Sequence, residues 1–140
     1  MERCREVVLD SSVVVKWFSQ EPKSVEALEL MESHLQGSAG LVASEILFCE
    51  VGNALRYKRE YSTEKLKRAL SDLLHLHMKV AHTTEDLLLR TAEVACDGEV
   101  TIYDALPVAI AERRKTICIT ADEETQYKKL RAKGYPIQLL

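Results

Sequence analysis

The sequence predicts an α/β fold: a three-layer α/β/α domain on a parallel sheet of about five strands. Three features of the chain point to it. Short apolar runs recur at 6–10 (EVVLD), 41–43, 80–82, 116–120 (TICIT) and 137–140. Longer segments with helical spacing and N-terminal capping residues separate them. Strands that alternate with helices need crossover connections, and crossovers make a parallel sheet covered on both faces.

Each element has its own local reason. Residues 6–10 stay apolar until a terminal carboxylate, as expected of a strand buried on both faces. Ser11 and Ser12 can cap a short helix over 13–18. Pro22 opens a helix to about His34, with Val25, Leu28 and Met31 as its inward stripe. After a turn at 37–40 and the second strand, Ser44 is the expected cap of a helix to about Tyr57. Ser62 or Thr63 caps the next helix, whose apolar face carries Leu66, Ala69, Leu70, Leu73 and Leu74 and continues to His77.

Thr84 starts a helix to about Cys96 that Gly98 ends. Pro107 governs the helix after it. With Thr101 as N-cap, Pro107 would sit at the sixth helical position, where a missing N–H is costly. With Asp104 as cap, it sits in the first turn, where that N–H has no partner to lose. The regular helix is therefore expected to begin near Asp104 or Ala105. A last helix runs from Asp122 to about Lys133, and residues 134–136 (GYP) turn the chain into the final strand.

Length and composition suit one soluble domain over residues 1–140, with 46% hydrophobic and 29% charged residues. The longest apolar stretch, 105–111, is too short to span a bilayer, and no targeting segment stands out, so a cytoplasmic location is expected. Cys4, Cys49, Cys96 and Cys118 are scattered, as free thiols in a reducing compartment would be. His75, His77 and His82 lack zinc-ligand spacing. A net charge of −3 argues against indiscriminate nucleic-acid coating. Basic clusters nevertheless occur, notably Arg56, Lys58 and Arg59 followed by Lys65, Lys67 and Arg68.

The acids carry the functional signal. Asp10 ends the first strand and Asp122 follows the TICIT strand, so both fall at the carboxyl edge of the sheet, where ligands bind in such folds. Capping explains Asp122 and Asp104 equally well, because Thr120-Ala-Asp-Glu123 has the form of a capping box and Thr101 lies three residues before Asp104. Glu50 resists that explanation. It falls about 60° from Leu47 on a helical wheel, inside the apolar stripe, with Asn53 beside it. No lysine or arginine shares that stripe within a turn. A carboxylate there is expensive without a compensating partner, and oxygen-only ligands suit Mg²⁺ or Mn²⁺.

Four segments together resemble the PIN-domain family, in particular the small VapC-type ribonucleases of toxin–antitoxin pairs. VVLDSSVVVKWF resembles the family opening, with an acid at Asp10 and a hydroxyl at Ser12; EILFCEVGNALRY resembles the helix bearing Glu50 and Asn53. TIYDALPVAIAERR resembles the third-acid segment at Asp104, and ICITADEE the closing strand and loop with Thr120 and Asp122. The resemblance implies a Rossmann-like five-stranded sheet and metal-dependent hydrolysis of RNA that leaves 5′ phosphate and 3′ hydroxyl ends. It assigns Asp10, Glu50 and Asp104 to a principal Mg²⁺ or Mn²⁺ cluster that Asp122 completes, with Ser12, Asn53 and Thr120 in the surrounding polar shell. It also implies an RNA substrate, a cognate antitoxin and a homodimer. Arg56, Lys58 and Arg59, at and beyond the C-terminal end of the Glu50 helix, are candidates for contact with the RNA backbone, with solvent or an acidic antitoxin segment as the alternatives. The short apolar stretches lead to no membrane partner. The chain departs from the pattern at Pro107, where many relatives carry an aromatic residue. Two other readings compete: a catalytically degenerate RNA- or protein-binding module, and a phosphate-receiver signalling domain. Receivers typically pair two acids after the first strand, whereas Asp10 is followed by two serines.

Overall fold

The computed structural model describes residues 5–140. Strand β1 (Arg5–Leu9) leads into the short helix α1 (Ser11–Val15) and then α2 (Ser24–Leu35). Strand β2 (Ala39–Ser44) is followed by α3 (Leu47–Arg56) and α4 (Thr63–Leu74), and β3 (Lys79–Ala81) by α5 (Glu85–Gly98) and α6 (Ile102–Arg113). Strand β4 (Cys118–Thr120) passes through a π-helical turn (Glu123–Tyr127) into α7 (Lys128–Ala132) and β5 (Ile137–Leu139). The five strands form one parallel sheet in the order β3-β2-β1-β4-β5.

The period-2 alternation of β1 feeds two separate cores. Val7 and Leu9 pack with Val13, Leu41, Leu47, Val51, Leu55 and Leu73, from helices α1, α3 and α4 and strand β2. Val8 packs on the other side with Val42, Val94, Val108, Ile110, Leu130 and Ile137, drawn in part from α5, α6 and α7. This is the three-layer arrangement expected from the sequence. Val8 pairs with both Val42 and Cys118, which makes β1 the central strand and sets its C-terminal end between two loops. Among the described residues, no helix is long and apolar enough to cross a membrane.

Local capping chemistry matches expectation at two helices. The side chains of Ser62 and Thr84 accept from the N–H groups of Lys65 and Leu87.

Six expectations need correction. Helix α6 is unbroken from Ile102, with Thr101 as its N-cap, so Pro107 does lie at its sixth position. The lost bond removes the donor to the Tyr103 carbonyl. Residues 105–111 are all buried, and burial at about 1.5–3 kcal/mol for each large apolar side chain outweighs a cost of roughly 3 kcal/mol for the proline. Neither Ser11 nor Ser12 caps α1; Asp10 does. Ser44 is the last residue of β2, and α3 starts at Leu47 with Ile46 at the cap position and no side-chain cap bond.

Helix α2 begins at Ser24, and its expected stripe is turned outward, with Val25 68% and Leu28 39% exposed. Ala27 is the residue fully buried, and Trp17 Nε1 donates to its carbonyl at 2.7 Å, so α2 approaches the core on its small side. Helix α4 ends at Leu74, and His77 lies beyond it with φ of 52°. The left-handed residue that ends α5 is Glu99 rather than Gly98. Gly98 stays helical, and a Cβ there would come within 2.5 Å of Leu130 Cδ2. Its size, not its φ, is what the fold uses.

Candidate functional site

The end of β1 sets the first acid. Asp10 is 5% exposed, and its Oδ2 accepts from the Ser12 N–H at 3.0 Å. On its other side Oδ1 accepts from Gln126 Nε2 at 3.2 Å. Two of the four lone-pair positions of this carboxylate are thus claimed by the protein, leaving acceptor capacity for a ligand.

Glu50 and Asp104 line one cleft, of about 640 Å³, with Ser11, Cys49, Asn53, Thr101 and Tyr103 among its walls. Both carboxylates are half-buried. Burial, reinforced by the charges of Asp10 and Asp104, pushes the Glu50 carboxyl up to about 7. Burial likewise raises Asp104 to about 6, with Asp10 and Asp122 adding to the rise and Thr101 and Lys129 opposing it. The described residues supply Glu50 with no hydrogen-bond donor or cation. Asp122 is spent largely on capping, since its Oδ1 accepts from Thr125 N at 3.0 Å and its Oδ2 from the Thr125 hydroxyl.

The expected polar shell divides. Thr120 is fully buried and ties the segments together, with its Oγ1 3.2 Å from Ser12 Oγ and 3.0 Å from the Asp122 N–H it accepts. Ser12 Oγ in turn accepts from Ala121 N at 2.9 Å. Asn53 is exposed on the cleft wall. Sequence reasoning missed Gln126, which is fully buried and hydrogen-bonds Asp10, the Thr120 hydroxyl and the Asp104 carbonyl. Its only sequence signal is its position four residues after Asp122, one helical turn along the same face.

The basic residues also divide. Arg56 lines a second groove with Phe48, Leu66, Leu70 and Leu74, and this groove shares Cys49 and Asn53 with the acidic cleft. Arg59 is exposed. Lys58 is half-buried and lies 3.3 Å from Glu21, so its charge is already partnered.

The donor set suits a hard divalent cation: carboxylate oxygens only, mutually repelling, two of them poorly solvated and one, Glu50, with no cation beside it among the described residues. Among the described residues no three His, Cys, Asp or Glu side chains converge closely enough to hold an ion directly. The fit is to a cation that keeps several waters and takes one or two carboxylates, as Mg²⁺ commonly does.

A parallel α/β sheet in this strand order, with acids gathered beyond its central strands, defines the class. The order also differs from the 2-1-3-4-5 of flavodoxin-like receivers, which removes that alternative. The PIN domain family model matches residues 7–132, and the chain belongs to that family. Solved structures share the fold at low identity. The toxin VapC20 of Mycobacterium tuberculosis, described as cleaving the sarcin–ricin loop, is 16% identical with a TM-score of 0.68, over 92% of this chain and 95% of that one. A toxin–antitoxin complex from Klebsiella pneumoniae is 17% identical with a TM-score of 0.65, over 85% and 88%. VapBC2 of Rickettsia felis, bound to a promoter DNA fragment, is 15% identical with a TM-score of 0.68, over 96% and 98%. No curated protein matches the sequence.

Proposed function

We propose that this chain is a Mg²⁺- or Mn²⁺-dependent ribonuclease that hydrolyses RNA phosphodiester bonds as the toxin of a toxin–antitoxin pair in the cytoplasm. The observation that carries this reading is Glu50, a half-buried carboxylate that shares a cleft with Asp104 and is pushed up to about 7 by burial and by the charges of Asp10 and Asp104. PIN-family membership and the toxin–antitoxin setting of structural relatives support RNA as substrate and an antitoxin as partner.

In this reading one or two of Asp10, Glu50 and Asp104 hold the cation directly and the rest reach it through its waters, with Asp122 completing the set from its capping position. When bound, the ion supplies the acidity that activates water and the charge that offsets phosphate and leaving oxygen. The chain's own residues supply position. Ser12 and Thr120 fix the loops that carry Asp10 and Asp122, and Asn53 offers an amide N–H to a phosphate oxygen in the cleft. Arg56 and Arg59 attract the RNA backbone, which sets register without reading bases. Lys58, partnered by Glu21, contributes less. An antitoxin or a second copy of the chain finds an apolar wall beside the acids at Leu66, Leu70 and the 58% exposed Leu74.

The wide spacing of the acids favours one other reading, a PIN domain that binds RNA or protein without cleaving it. A cleavage assay over many RNAs, with and without Mg²⁺ or Mn²⁺, separates the two when paired with Asp10→Asn. Cleavage that needs the metal and disappears in the variant is expected. Metal-independent cleavage, or cleavage unchanged in Asp10→Asn, would refute the metal-dependent mechanism at these acids, and RNA binding with no cleavage would favour the non-cleaving reading.

A further inference from the structure

Gln126 is fully buried, and the hydrogen bonds of its side chain all go to the site. Its Nε2 donates to Asp10 Oδ1 at 3.2 Å and to the Asp104 carbonyl at 2.9 Å, two groups that can only accept. Its Oε1 accepts from Thr120 Oγ1 at 2.5 Å. The direction of the whole chain of bonds is then fixed. Gln126 Oε1 can only accept, so the Thr120 proton goes to it; Thr120 Oγ1 then accepts from Asp122 N and from the Ser12 hydroxyl, while Ser12 Oγ accepts from Ala121 N. The 3.5 Å approach of Thr120 Oγ1 to Asp10 is left without a proton of its own. A networked amide of this kind holds its neighbours in one arrangement, and replacing it leaves several buried partners unpaired together.

A space-filling role would be served as well by leucine or methionine, with no buried amide to satisfy. The position of the bond to Asp104 supplies a second reason for an amide. Pro107 removes the donor to the Tyr103 carbonyl, so the turn that carries Asp104 closes with one bond fewer. Gln126 fastens that same turn from outside.

We propose that Gln126 is a positioning residue of the acidic site: it locks Asp10 in one orientation and clamps the proline-weakened start of α6 to it, fixing Asp10 relative to Asp104. This rests on the reading of the acids as a cation site. It assigns a structural purpose to the pairing of Pro107 with a buried glutamine in this chain.

The test uses the full chain with Gln126→Met, and Gln126→Asn as a second variant that keeps the amide but cannot reach both partners. Mn²⁺ affinity is measured without RNA by the electron paramagnetic resonance of free Mn²⁺, and hydrogen exchange is followed in metal-free protein. Both variants should bind Mn²⁺ about tenfold more weakly, the scale of an outer-shell defect. The amides of Ala105, Leu106 and Val108 should exchange faster while those of α5 do not. In a Pro107→Ala background the loss on removing Gln126 should shrink. Mn²⁺ affinity within about twofold of the parent in the folded variant would overturn the proposal, whatever happened to Tm. So would a parent chain that binds no Mn²⁺. A parent that binds Mn²⁺ tightly yet cleaves no RNA would defeat the ribonuclease reading alone.

Discussion

The two ends of β1 treat carboxylates in opposite ways. Near its start, Glu6 lies 2.6 Å from Lys79 Nζ and accepts from Arg114 Nε and Nη2 at 3.0 and 3.1 Å. The Lys79 hydrogen bond, together with Arg114, holds this carboxyl below its ordinary range against the opposing effect of burial. Beyond its end, Asp10 adds its charge to Glu50 and Asp104, both of which are raised by burial and by repulsion. The same sheet therefore compensates an acid at one edge and leaves a group of acids uncompensated at the other. Charge that stabilises the fold is neutralised internally; charge left open is available to a ligand. Thermodynamic linkage turns this difference into measurable signs.

The largest expected effect breaks the comparison at the open end. Asp10→Asn should lower metal-dependent RNA cleavage by at least about a hundredfold, beyond the usual cost of an outer-shell change. One acceptor oxygen remains for the Ser12 or Gln126 donor, so thermal melts should shift by only a few degrees. Unchanged cleavage would show that the open acids are not the reactive ones.

Next in size is a difference of sign. In metal-free protein at pH 8, Glu50→Gln should stabilise the fold by about 1 kcal/mol, a figure discounted for solvent screening at a half-buried site. The substitution should also diminish the rise in Tm that Mn²⁺ produces. Glu6→Gln should destabilise by about 1 kcal/mol under the same conditions, since it leaves Lys79 and Arg114 without their shared partner. Denaturant titrations that gave both variants the same sign would erase the contrast.

The pH dependence follows. For Glu50 and Asp104 the folded values lie above the ordinary 4.5 and 3.8, so their contribution is present at low pH and is lost as pH rises toward about 7 and about 6. Metal-free Tm should fall across that interval, and saturating Mn²⁺ should remove the fall. Glu6 works the other way: its folded value is lowered, so its contribution is present above 4.5 and is lost as the solution becomes more acidic. A metal-free Tm that stayed flat between pH 5 and 7.5 would count against coupling among the open acids. The smallest effect is expected for Lys79→Met, about 0.5 kcal/mol or less, because Lys79 is exposed and Arg114 still holds Glu6. Salt should weaken even that.

Much of this was legible in the chain because it depends on neighbours in sequence. Ser62 and Thr84 cap the helices they precede, because a hydroxyl reaches an N–H three residues on whatever the rest of the fold does. The unbroken apolar run of β1 marked a strand buried on both faces. Helical spacing put Glu50 on the inward side of α3, and the structure brings it to a cleft with Asp104. What misled was also local. Pro107 reads as a helix start when only its missing N–H is weighed, and Val25 and Leu28 read as a buried stripe when only their hydrophobicity is counted.

Tertiary structure decided those cases because their energies belong to surroundings supplied from elsewhere. Helix α6 tolerates its proline since residues from Ala105 to Ala111 are buried together, and α2 turns Ala27 inward, where it is fully buried and Trp17 donates to its carbonyl. Gln126 is the clearest instance. Its letter sits among exposed, charged neighbours, while its partners lie 116 and 22 residues away. Sequence by itself determined the strand and helix order, the caps at Ser62 and Thr84, and which acids fall at the sheet's carboxyl edge, since period and capping act within a turn or two. Only the packed fold could bring Asp10, Asp104, Thr120 and Gln126 into one network, because hydrogen bonds between distant segments exist once the chain has closed around them.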